Sequence, residues 1–269
     1  MCYSVMVQKD LNGLGFDFEA RLDNDAILAF EKRRNEDAKL KVAGLDGRIY
    51  PGYYGFVIVK KNGSYVMTPM RYAAYPPSYL SPSMAKGLST FNCRRDSLGK
   101  RFWSESFTKN HGLFVIKAFF EWVSVRELLS AGRVTLAQVE EEFLRQKEAR
   151  KRAWVEKGRD IKKLKPTKAE LKDPLDREIV ISFSPESAAG LGMILPVIYS
   201  LSSDGKDAGF AILTDEPNLE IRQAGHDRMP ICLDPLAARR WLSPEGMSFS
   251  QLDALLCENK SDFYTHHIA

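Results

Sequence analysis

The sequence predicts an α+β protein, with a mixed, mostly antiparallel, barrel-like β core flanked by helices. Three observations predict it. Asn62-Gly63 separates the apolar run 54–59 from a second run at 64–67, the strongest short-range hairpin signal. Ser202-Ser203-Asp204-Gly205 makes the same kind of turn between runs at 193–201 and 209–214. Helix starts are signalled at Asn24, at Thr135-Leu136-Ala137-Gln138 and at Asp234-Pro235.

In order, residues 5–7 form a first strand. Asn24 caps a helix over about 25–42, with Ala26, Ile27 and Phe30 as its apolar face and Gly44 as its stop. Tyr50-Pro51-Gly52 is a turn that leads into the 54–67 hairpin. The stretch 70–77 is rich in aromatics and proline and reads as loop, as does the polar heptad 91–97. Residues 113–118 are a buried strand. A capping box at Thr135 opens a helix with Leu136, Val139 and Phe143 as its stripe, and Pro166-Thr167 starts a second short helix toward Lys172. Strands follow at 178–183, 193–201, 209–214 and after Pro230. Asp234-Pro235 begins a helix ending at Trp241. The His266-His267 tail reads as disordered and without a role.

The 269 residues suit a single domain over 1–269, with a charged, mainly helical insertion at about 126–177. Hydrophobic residues are 44% and charged residues 28%, as in soluble globular proteins. No apolar run approaches membrane-spanning length, and the start of the chain does not resemble a signal peptide. Cys2, Cys93, Cys232 and Cys257 lack paired spacing, so a reducing, cytoplasmic setting is expected; with His111, His226, His266 and His267 they form no metal-ligand pattern. A monomer with no membrane partner is expected. Between residues 145 and 168 eleven Lys and Arg face three Asp and Glu, so the rest of the chain is net acidic. This basic segment is either a solvated linker or a DNA contact.

Met1-Cys2 carries the most distinctive chemistry. Removal of the initiator Met, which a small second residue favours, would leave an α-amine and a thiol on adjacent carbons. The amine forms an imine with an aldehyde, and the thiol then closes a five-membered thiazolidine. An α-amine titrates near ~7.7–8.0 against ~10.4 for Lys, so far more of it is free base at neutral pH. Ring closure is intramolecular and gains from proximity. The alternative is a small residue in a first strand.

Other candidates lie along the chain. Arg71, Tyr72 and Tyr75 either stack on nucleobases or cover a core edge. Asn92 fits a substrate-orienting amide and Arg94 a phosphate clamp. Glu121, between aromatics, is either a desolvated acid–base group or the solvent-facing residue of an alternating strand. His226-Asp227-Arg228 stands at the entry to a strand, where rigid scaffolds hold catalytic groups.

Taken together, Met1-Cys2, Tyr50-Pro51-Gly52, Met70-Arg71-Tyr72, Phe91-Asn92-Cys93-Arg94, Phe120-Glu121-Trp122 and His226-Asp227-Arg228-Met229-Pro230 come in the order of a known family. The chain resembles the SOS-response-associated peptidases, abasic-site sensors that cross-link to damaged single-stranded DNA. The resemblance implies that Cys2 forms a thiazolidine with the aldehyde of an abasic deoxyribose and that Asn92 positions the N-terminus. It implies that Glu121 opens the sugar and His226 transfers protons. Arg94, Arg71, Tyr72 and Pro51 would contact DNA, no metal or organic cofactor is needed, and lyase activity follows if the thiol does not close the ring. The sequence departs from the family at Ser4, where Arg is common, at Tyr72, where Trp is usual, and at 95–97; Arg95 is the expected replacement cation. The rival reading from the same residues is a cysteine peptidase with Cys2 as nucleophile and His226 as base, and a third is a non-covalent DNA-binding module.

Overall fold

The computed structural model describes residues 4–8, 10–185, 192–257 and 264–269; Cys2 lies outside them. The first half of the chain runs β1 (Ser4–Val7), α1 (Leu11–Phe18), β2 (Arg21–Leu22), α2 (Asn24–Glu36), β3 (Arg48–Ile49), β4 (Tyr54–Lys61), β5 (Ser64–Tyr72), α3 (Pro82–Ala85), β6 (Asn92–Arg94), α4 (Ser104–Lys109) and β7 (His111–Ser124). After α5 (Val125–Ser130) and α6 (Leu136–Glu156) come β8 (Glu178–Pro185), β9 (Met193–Leu201) and β10 (Ala208–Asp215). The chain ends with α7 (Leu219–Gln223), β11 (Met229–Pro230), α8 (Pro235–Trp241), α9 (Phe249–Cys257) and β12 (Tyr264–Ile268).

The strands join one twisted, mostly antiparallel sheet with helices outside it, the α+β class the sequence predicts. β7 is the spine. Its first half pairs with β9 and β4, and its second half with β1 and β8. β10 is shared in the same way, antiparallel to β9 and β11 and parallel to β5 and β6. Phe114 and Ile116 enter one hydrophobic cluster while Leu113 and Val115 enter another, so β7 is covered on both faces. That explains its nearly continuous apolar run.

Local chemistry accounts for the elements read correctly. Asn62 and Gly63 adopt φ of 51° and 78°, the paired positive values that a two-residue hairpin requires. Thr135 accepts from the Gln138 N–H at 3.3 Å while Gln138 Oε1 accepts from the Thr135 N–H at 2.8 Å, closing the capping box. Asp234 Oδ1 accepts from the N–H groups of Leu236 and Ala237 at the start of α8.

Elsewhere the structure differs. α2 is capped by Asp23 and ends at Glu36, because Asp37 turns extended and accepts from the Lys39 N–H. β5 extends as far as Tyr72 into the stretch read as loop, whose remainder, 73–77, is irregular, and residues 92–94 form a strand followed by a 3-10 turn at Arg95–Ser97. Leu136 is largely exposed, leaving Val139 as the buried member of the α6 stripe. Residues 167–172 form a turn rather than a helix: Thr167 and Glu170 cap each other, and Pro174 then opens a separate 3-10 turn. The tail is not disordered; β12, which includes His266 and His267, pairs along β8.

His111 pins α4 and α8 to the sheet. Its ring stacks on Trp241 at 3.8 Å, and its nitrogens face the carbonyls of Phe107 and Trp241 at 2.6 and 2.8 Å. Burial holds its pKa below the ordinary 6.5, outweighing those carbonyls. The unfolded chain therefore takes up a proton that the folded chain resists. The His111 contribution is fully present above pH 6.5 and is lost as pH falls below it through the folded value. Urea unfolding should show stability declining from pH 7.5 to 5, with a slope from this group of at most ~1.4 kcal/mol per pH unit. His111→Gln should flatten that decline; an unchanged slope would exclude His111 as its source.

Candidate functional site

β7 orients the acid. Side chains alternate along a strand, so Phe119, Glu121 and Val123 share the core face while Trp122 turns outward at 41% exposure. Glu121 is 1% exposed, which overturns the reading of an outward carboxylate on an alternating strand. Its Oε2 lies 3.1 Å from His226 Nε2.

His226 is delivered by the turn after α7. Asn218 caps α7, and Gly225 follows with φ of 85°. A Cβ at Gly225 would stand 2.2 Å from Glu127 Oε2 on α5, so both conformation and space require glycine there. The His226 N–H then donates to the Ile221 carbonyl. Nδ1 lies 2.8 Å from the Arg228 carbonyl, which only accepts, so Nδ1 carries hydrogen. The Arg228 N–H also approaches Nδ1, at 3.3 Å; the shorter contact decides the tautomer. Nε2 faces Glu121 Oε2 at hydrogen-bond distance, the contact that a pair needs to pass a proton between its members.

Strand pairing draws the other residues together. Ser4, two residues after Cys2, is fully buried on β1 opposite Phe120, the neighbour of Glu121. Arg48 on β3 donates from Nε to Ser4 Oγ at 2.7 Å, and its guanidinium lies 3.8 Å from the Phe120 ring centroid. The sequence marks Ser4 as a missing cation; the structure brings Arg48 to that place, a pairing of residues 44 positions apart that no local pattern signals. The Gly52 N–H donates to the Tyr72 carbonyl, which sets the Pro51 turn beside the end of β5. The Tyr72 hydroxyl donates to Asn92 Oδ1 at 3.2 Å. β6 places Asn92 opposite Ile212 and Arg94 opposite Thr214, the residue that also pairs with Pro230.

Two residues expected at the DNA do other work. Tyr72 is 0% exposed and stacks on Phe210 at 5.3 Å, so its ring meets the core rather than a nucleobase. Arg95 forms a two-point contact with Asp253 and a further one with Asp215 at 3.1 Å, so its charge is already matched. Arg94 is 44% exposed on its side chain and rests on Asp96, whose carboxyl it holds below the usual range. Arg71 donates weakly to the Ala73 carbonyl and lies over the Tyr75 ring at 5.6 Å. The Tyr75 phenol donates to half-buried Asp207 and is pushed up to about 12, first by burial and then by that bond. Arg228 is 9% exposed and paired with Glu216.

Fold and site define the class: a twisted-sheet α+β protein with a buried Glu121–His226 contact beside its N-terminal strand. The family described as SOS response associated peptidase (SRAP) matches residues 18–153, and the chain belongs to it. Membership gives it a DNA-damage-associated function. The fold is similar to that of a protein from Bordetella bronchiseptica, at 14% identity and a TM-score of 0.57, covering 100% of this chain and 99% of that one. It is similar to a protein from Bacteroides thetaiotaomicron, at 13% identity and a TM-score of 0.57, covering 95% and 86%. A phage-related protein from Bordetella bronchiseptica matches at 12% identity and a TM-score of 0.53, covering 82% and 80%. No curated protein matches the chain.

Arg95→Ala should lower stability by about 1 kcal/mol, the scale of a partly exposed ion-pair network, while changing single-stranded DNA affinity less than twofold. Chemical denaturation and fluorescence anisotropy check both; a large loss of affinity at unchanged stability would return Arg95 to the DNA.

Proposed function

We propose that this protein captures abasic sites in single-stranded DNA as a covalent thiazolidine at Cys2. The observation that carries the reading is the buried contact between Glu121 and His226, at the strand that leads to the N-terminus. Ser4 is anchored beside Glu121, and two peptide units give Cys2 a Cα reach of at most ~7.6 Å from it.

The steps balance without an oxidant or reductant. The closed sugar loses the proton of its C1′ hydroxyl to the Glu121 carboxylate while the ring oxygen takes one from His226, and the aldehyde opens. The Cys2 amine adds to C1′, and loss of water leaves an imine. The thiol adds across the C=N bond: sulfur bonds to carbon and the thiol proton goes to nitrogen. The product has no C=N bond, so it does not acidify the neighbouring C–H and the strand is spared cleavage. Asn92, held by Tyr72, orients the N-terminus; Arg94 and Pro51 contact the strand near the lesion.

The family's designation favours a second reading, a limited peptidase with Cys2 as nucleophile and His226 as base.

Denaturing gels after incubation with an abasic single-stranded oligonucleotide test the proposal. The native protein should give a stable shifted band, and Cys2→Ser should abolish it while DNA binding persists. Glu121→Gln and His226→Ala should each slow its appearance about 10²-fold, the usual share of one acid–base group. A Cys2→Ser band as stable as the native one would overturn the thiazolidine. Peptide hydrolysis lost with Cys2, and no shifted band from the native protein, would establish the peptidase.

A further inference from the structure

A groove of about 590 Å³ runs between the end of α2 and β3, lined by Arg34, Lys41, Asp46, Arg48, Tyr50 and Tyr53. Its cations and rings alternate. Arg48 lies 3.8 Å from the Phe120 centroid and 5.3 Å from that of Tyr50. Tyr50 meets Tyr53 edge-on at 5.5 Å, and Lys41 lies 5.7 Å over Tyr53. Arg34 extends the line on α2.

None of Arg34, Lys41 and Arg48 has a carboxylate within ion-pair distance among the described residues. In the pocket on α6, Arg150 is paired with Glu170 and Lys151 with Glu148. The one acid in the groove, Asp46, is turned onto the Arg48 N–H. The groove is also held in place. Val42 bridges to Tyr54, the Tyr54 N–H donates to the Lys41 carbonyl, and Arg48 is tied to Ser4.

Unneutralised cations at intervals, with aromatic rings between them, are what a single strand needs: charge for its phosphates and faces or edges for its bases. Ala38, Leu40 and Val42 add to the lining of the groove. We infer that it is the track for single-stranded DNA on one side of the lesion, ending at Arg48 and Ser4 where the N-terminal strand begins. Phosphates lie along Arg34, Lys41 and Arg48, and bases pack against Tyr50 and Tyr53. The inference rests on the reading of the protein as an abasic-site binder and adds the path of the undamaged flank.

The test measures binding of an intact 20-nucleotide single strand by anisotropy across a salt series, alongside adduct formation with its abasic counterpart. Arg34→Gln/Lys41→Gln should weaken binding of the intact strand at least tenfold and reduce the slope of log K against log salt by about 1.4, two phosphate contacts at ~0.7 each. Tyr53→Leu should weaken binding with the slope unchanged. Lys206→Gln, an exposed lysine outside the groove, controls for net charge. At saturating DNA the groove variants should still form the adduct. Native affinity and slope in Arg34→Gln/Lys41→Gln would overturn the track, whether or not the adduct forms. Binding lost in the groove variants, with no adduct even from the native protein, would uphold the track and sink the covalent reading alone.

Discussion

The Glu121–His226 contact is the constraint that orders the rest of the molecule. A carboxyl group at 1% exposure survives only with partners that replace water, and His226 supplies one at 3.1 Å. The two residues are far apart in sequence and sit on different elements, so both elements must be held against small displacements. β7 is held by strands on both edges. The His226 turn is held by the Asn218 cap, by Gly225 against Glu127 and by the Arg228 carbonyl. Glu220 extends the bracing by accepting from the Tyr264 N–H, which ties α7 to β12.

The sheet also explains how motifs scattered along the chain converge. β7 puts Ser4 next to Glu121 by pairing, and β10 has Asn92 and Arg94 on one edge and Met229-Pro230 on the other. Residues that looked alike in sequence divide by depth. Tyr72 and Arg95 face inward, one positioning Asn92 and the other joining α9 to β10 through Asp253 and Asp215. Arg94 keeps a more exposed guanidinium, at 44% of its side chain, while Arg48 is half-buried against Ser4 and Phe120.

Much of the fold was legible because its signals are local: the Asn62-Gly63 turn, the Thr135 box and the Asp234-Pro235 start each depend on a few adjacent residues. The misreadings have physical causes. α1 drew no reading from the sequence: it carries Gly13 and Gly15, each a cost of ~1 kcal/mol in a helix, which weakens its pattern. Pro69 disguised the continuation of β5, yet it pairs opposite Phe56 within the strand. β12 depends wholly on β8, which no reading of the tail alone reveals. In the site, His226 was visible from its neighbours, but the direction of Glu121 was not. A strand's facing depends on register, and a shift of one residue would have turned Glu121 outward. Arg48 was missed because its relevance comes only from a cross-strand contact.

The central claim is that a buried acid–base pair serves an N-terminal amine and thiol that close a ring on a sugar aldehyde. The most direct measurement is the intact mass of the protein after incubation with an abasic single-stranded oligonucleotide, with and without borohydride. The account predicts the same species in both: the chain lacking Met1, plus the oligonucleotide, less one water, because a thiazolidine has no C=N bond to reduce. An unchanged protein mass, or an adduct that survives only when borohydride is present, would contradict it.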